Sequence, residues 1–145
     1  MWSAGSVLVC ALSVLGRSES SMPRIELIDV APPGVSANAE AFVERSTKTI
    51  SVLTSSNVFR DAASSRGGCN SASMSMRKLA SILAHEEWHV RHGPDERKAY
   101  HYQLVTLIRL GVPPGAAIYQ EVQASMLSVL EARRRGRPDR VLASR

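Results

Sequence analysis

The sequence predicts an α+β fold in which short N-terminal strands precede a helical half. Short runs rich in β-branched residues lie before residue 55. From Met74 onward, apolar residues recur at helical spacing. Gly-Pro and Pro-Pro-Gly punctuation at residues 93–94 and 113–115 then divides that half into three segments. A chain of 145 residues is enough for one ordinary domain and too short for two. With 44% hydrophobic and 21% charged residues, it can build a core and is not wholly disordered. No apolar run approaches the ~18–20 residues that a membrane-spanning helix needs.

Taken in order, Val7 to Leu15 is an apolar stretch of the length of a signal-peptide core. The small residues Ser18 and Ser20 would permit cleavage before Ser21, yet no Lys or Arg precedes Arg17. Residues 1–20 therefore read as a signal peptide or an uncleaved apolar leader, and both export and retention stay open. Removal of that leader would take Cys10 and leave Cys69 as a lone thiol. Two cysteines cannot make a disulfide framework.

Residues 25–30 alternate in part and stop at Ala31-Pro32-Pro33-Gly34, which reads as a strand and turn. Residues 38–46 suit a short helix. Residues 48–54 are β-branched and read as a second strand. Ser55, Ser56 and Asn57 can cap a short helix over 57–63, and residues 64–73 have the composition of a loop.

The next segment places Met76, Leu79, Leu83, Glu86 and Val90 on one helical face, with Ile82 beside them. It ends at Gly93, expected as a left-handed cap. Pro94 suits the first turn of a helix to about Leu110, where Asp95 and Glu96 meet the positive end of the dipole. A third helix over 116–134 carries Ile118, Val122, Met126, Val129 and Leu130 as its apolar stripe.

The net charge of +5 is local. Residues 133–145 hold six arginines (133, 134, 135, 137, 140 and 145) against Asp139 alone, so residues 1–132 sum to zero. A neutral body gives no reason to expect nucleic acid, and residues 136–145 read as a solvated basic tail.

Chemistry concentrates at His85-Glu86-Glu87-Trp88-His89, an HExxH match. A chain of this composition holds one such match by chance roughly 0.7% of the time. On a helix, positions i and i+4 share a face one turn apart, so both imidazoles can bind one metal ion. Glu86 then stands beside the open coordination position, where a carboxylate can take a proton from water and pass it to a leaving amine. Glu86 also falls on the apolar face, and burial without a partner would cost several kcal/mol.

A third protein ligand is needed. Glu96 is the best placed, because the Gly93-Pro94 reversal can fold it back toward the histidines. Asp95 and His92 compete with it, and a charge at a helix start needs no metal to explain it.

His85-Glu86-x-x-His89, followed by Gly93 and Glu96-x-x-Ala99-Tyr100, resembles the small bacterial metallopeptidases of the zincin class over about residues 75–110. A third ligand Glu on the following helix is the gluzincin pattern, although Glu96 follows His89 by only seven residues. The resemblance implies a small zincin-like domain over 21–135, bound Zn2+ and a peptide or protein substrate. It implies that strand 48–54 is the edge strand that takes extended substrate. It also makes Tyr100, one turn after Glu96, a candidate oxyanion donor, with core packing as the other role open to it. The other reading of the whole motif is a degenerate, non-catalytic zincin or a structural metal-binding module.

Overall fold

The computed structural model describes residues 2–65, 69, 72–136 and 142–144, the last by backbone alone. The chain runs α1 (Ala4–Leu15), a 3-10 turn (Glu19–Ser21), β1 (Ile25–Ile28), β2 (Ala41–Glu44), β3 (Thr49–Leu53) and α2 (Asn57–Ser64). It continues through α3 (Met74–His92), α4 (Glu96–Arg109), α5 (Ala117–Arg134) and β4 (Leu142–Ser144). The class is α+β, with three strands in the N-terminal part and a short fourth at the other end of the chain.

Serine caps start the helices that matter most. Ser56 accepts from the Phe59 N–H at the head of α2, and Ser73 accepts from the Met76 N–H at the head of α3. The three helices of the C-terminal half fall close to their expected ranges. One boundary differs: Asp95 is the N-cap of α4, accepting from the Lys98 N–H, so Pro94 stands outside the helix. Gly93 does take a positive φ of 107°, but with ψ at −160° it is not the left-handed cap that was expected. That backbone region is essentially reserved for glycine.

The sheet order is β1-β3-β2-β4. β1 runs parallel to β3, from Ile25 opposite Ile50 to Ile28 opposite Leu53. β2 runs antiparallel to β3, from Ala41 opposite Val52 to Glu44 opposite Thr49. Two expectations are corrected here. The short helix over 38–46 is instead β2, because an isolated helix of that length nucleates poorly, whereas pairing buries Ala41, Phe42 and Val43. The strand at 48–54 is not an edge. β3 is paired on both sides, and all five of its residues are buried.

The C-terminal stretch also departs from a solvated tail, since residues 142–144 add to the sheet as β4, antiparallel to β2. Arg133, Arg134 and Arg135 belong to α5 and the turn after it, while Arg137, Arg140 and Arg145 lie outside the described residues. The expected loop over 64–73 lies partly outside them as well.

The main core joins Val7, Leu8, Ala11 and Leu12 of α1, Val58 and Phe59 of α2, and Met76, Leu79, Ile82 and Leu83 of α3 to the sheet. Residues of the apolar leader are thus core residues of this fold, and Cys10 is disulfide-bonded to Cys69 rather than leaving it a lone thiol. A second cluster joins Tyr100, Leu104 and Leu107 of α4 to Val122 and Val129 of α5. α3 packs against α4 along the seam between these clusters. Among the described residues no helix is long and apolar enough to cross a membrane.

Candidate metal centre

The α3–α4 seam is polar where both flanks are apolar. His85, Glu86, His89, Glu96 and Gln103 are buried there, none of them more than 3% exposed. Side chains of this kind enter an interior only when partners compensate the loss of water.

Helical spacing builds the arrangement. On α3, His85 and His89 stand one turn apart, with ring centroids 4.9 Å from each other. On α4, Glu96, Tyr100 and Gln103 occupy positions i, i+4 and i+7 and therefore line one face. That face grips His85 at three points. Glu96 Oε1 is 3.0 Å from His85 Nε2, Gln103 Oε1 is 2.8 Å from His85 Nδ1, and the Tyr100 ring meets the imidazole edge-on at 4.4 Å between centroids.

His89 is held in the same way from other quarters. Its Nε2 lies 2.5 Å from the same Glu96 Oε1. Its Nδ1 donates to the Gly93 carbonyl at 2.8 Å, an orientation that follows from the unusual backbone of Gly93. Both imidazoles thus turn Nδ1 outward to a fixed partner and Nε2 inward to one carboxylate. Ligating histidines are oriented this way, with the outer nitrogen bonded to an acceptor.

One donor atom from each of His85, His89 and Glu96 lies within 4.8 Å of the others, so this buried group could hold a metal ion. Tetrahedral ligands at ~2.0–2.1 Å from an ion stand ~3.3 Å apart, so the Nε2–Oε1 distances of 3.0 Å and 2.5 Å would open by ~0.3 Å and ~0.8 Å to admit one. The second carboxylate oxygen of Glu96 is buried and has no hydrogen-bond partner among the described residues. A cation at the centre of the triad would satisfy it.

The electrostatics agree. Burial by itself would raise the pKa of Glu96, but its close contacts with the His85 and His89 imidazoles outweigh it and hold the carboxyl at about 2. For His89, burial opposes charge, yet the bond to Glu96 and the nearby charges of Glu86 and Glu96 lift the pKa above its usual value. Glu86 is therefore close enough to act on His89, although it lies outside the group of three.

The competitors for the third position are elsewhere. Asp95 is exposed and engaged as the cap of α4. His92 is exposed, its ring tilted against Trp88 at 4.9 Å. Tyr100 is fully buried, so the structure brings it to His85 as part of the packing.

Two residues at the site escaped the sequence reading, Gln103 and the Ser81 hydroxyl that it reaches. Their signal was the placement of a polar residue on the otherwise apolar buried face of α4 and of α3. A cleft of about 690 Å3 is lined by residues that include Ser56, Asn57, Lys78 and Glu121, and by none of His85, Glu86, His89, Glu96 and Gln103. Its wall also includes Glu40, whose pKa is raised by burial against the opposing pull of Lys78. No family model, curated protein or solved structure matches this chain.

Proposed function

We propose that the chain is a zinc-dependent hydrolase acting on peptide bonds, with His85, His89 and Glu96 as the metal ligands and Glu86 as general base. The observation that carries this reading is the composition of the buried group. Three protein donors converge, and a fourth, non-ligating carboxylate is retained on the same helix. A purely structural tetrahedral site is normally closed by four protein ligands, whereas catalytic sites use three.

Zinc, when bound, supplies a Lewis acid that polarises a carbonyl and makes water nucleophilic at neutral pH. The chain's own residues supply the rest. The two histidines and Glu96 hold the centre, with each imidazole locked through Nδ1. Glu86 takes a proton from the attacking water and returns it to the departing nitrogen. Tyr100 contributes packing against His85, and its hydroxyl is the candidate donor to the developing oxyanion.

A second reading has a specific observation behind it. His85, Glu86 and Tyr100 are each 0% exposed, so a peptide would reach them only if the seam opened. A metal ion that clamps α3 to α4 without catalysis needs no such opening. Glu86→Gln separates the two, being nearly isosteric and leaving the ligands intact. For the hydrolase, metal content and melting temperature stay unchanged while cleavage of a fluorogenic peptide library falls by orders of magnitude. A wild-type chain that binds one metal ion and cleaves nothing, with Glu86→Gln indistinguishable from it, would establish the clamp instead.

A further inference from the structure

Hydrogen-bond polarity can be traced outward from His85 without a break. Ser81 Oγ lies 2.6 Å from the Lys78 carbonyl, which can only accept, so the hydroxyl proton is committed there. What Ser81 offers in the other direction is a lone pair, 3.2 Å from Gln103 Nε2. The amide nitrogen of Gln103 must donate to it. That assignment turns Oε1 of Gln103 toward His85 Nδ1, at 2.8 Å. A carbonyl oxygen only accepts, so Nδ1 must carry the proton.

The flipped amide is excluded by the same chemistry. It would set Oε1 against a serine oxygen whose proton is already used, and an NH2 group against Nδ1. His85 would then need its proton on Nε2, the atom that faces Glu96. Both Ser81 and Gln103 are buried, at 0% and 1% exposure, so bulk water does not compete for these bonds.

We infer that Gln103, oriented by Ser81, is the positioning residue that fixes the His85 tautomer and keeps the Nε2 lone pair available to a metal ion. This rests on the metal-site reading above. His89 needs no such side chain, because a backbone carbonyl does the same for its Nδ1. The chain Lys78 carbonyl, Ser81, Gln103, His85 therefore makes α3 set its own ligand through α4.

The test compares the full-length wild type with Gln103→Leu and Gln103→Glu. Zn2+ affinity is read by competition with a chromophoric chelator, and the His85 tautomer by 15N chemical shifts of the imidazole. Gln103→Leu keeps the volume and removes the acceptor, so affinity should fall by about 10–100-fold and Nδ1–H should cease to dominate. Gln103→Glu keeps an acceptor at the same place, its second oxygen taking the Ser81 hydroxyl proton from the Lys78 carbonyl, and should hold Zn2+ within a few-fold of wild type. Equal affinity in wild type and Gln103→Leu overturns the role of Gln103 and leaves the metal site standing. Equal losses in both variants also overturn it, since the residue would then act only by packing. A folded wild-type chain that takes up no Zn2+ overturns the metal site and this inference together.

Discussion

Nε2 of His89 lies 2.5 Å from Oε1 of Glu96, across the turn that reverses α3 into α4. Two groups seven residues apart are joined because Gly93 adopts a φ of 107° and Asp95 caps the new helix, which starts Glu96 at the right height. The capping residue and the candidate ligand are thus adjacent in sequence and separate in their contacts.

Their separation is measurable by substitution. Glu96→Ala should reduce zinc uptake from about one ion per chain by orders of magnitude, because a ligand is lost. Asp95→Ala should leave uptake intact and lower stability by about 1 kcal/mol, the usual effect of losing a cap. Metal analysis together with thermal melts checks both. The reverse ranking would move the third ligand to Asp95.

The metal-free protein should show a stability maximum in mildly acidic solution. His89 has a raised pKa in the fold, so its contribution is complete below its ordinary value of 6.5 and is lost as pH rises through the raised value. Glu96 is depressed to about 2, so its contribution is present above 4.5 and disappears as pH falls toward 2. Zinc affinity should run the other way through the His89 titration, weakening as acid restores the proton that competes with the ion. Melts of the chelated protein from pH 3 to 9, with zinc titrations beside them, check the two slopes. A flat profile in both would mean that Glu96 and His89 do not interact in solution.

The elements with a local signal were readable in advance. The period of α3, the Ser56 cap of α2 and the Gly93-Pro94 break are all written within a few residues of the structures they produce. The two histidines and Glu86 follow from one helical turn. The parts that escaped depend on distant partners. Residues 41–44 become a strand because β3 lies beside them, and β3 is interior because β1 and β2 pair along its two sides, while β4 from the far end of the chain covers the other side of β2. Gln103 has no motif of its own and matters only through what α3 places opposite it. The Cys10–Cys69 bond closes a separation of 59 residues that no local pattern announces.

That disulfide ties α1 to the segment before α3, and α1 contributes five buried residues to the fold. In the chain-entropy view, a loop of this length stabilises by about 4 kcal/mol. Reduction, or Cys10→Ala, should therefore lower the melting temperature markedly. Deleting residues 1–20 should do more, because it also exposes the face of α3 that Leu12 and its neighbours cover. Melts with and without reductant, beside the truncated chain, check this. A truncated chain as stable as the full one would mean that α1 is dispensable, as a removable leader would be.

The last prediction concerns the sheet edge. β2 pairs with β4 through Ala41 opposite Ser144, Phe42 opposite Ala143 and Val43 opposite Leu142, and β4 also touches α3. A tail that only neutralises charge could be removed without consequence. A tail that forms β4 could not, because its loss leaves the N–H and C=O groups along one side of β2 unpaired. Ala41, Phe42 and Val43, each no more than 3% exposed, would gain contact with water on that side. Deleting residues 137–145 should cost on the order of 1–3 kcal/mol, a few backbone hydrogen bonds at their usual net worth. It should also promote association, since an open edge strand is a template for a second chain. Thermal melts and sedimentation of the shortened protein measure the two effects separately. Unchanged stability with a monomer throughout would return residues 142–144 to the role of a solvated end. Loss of stability without association would mean that β4 matters for packing on α3 more than for closing the sheet.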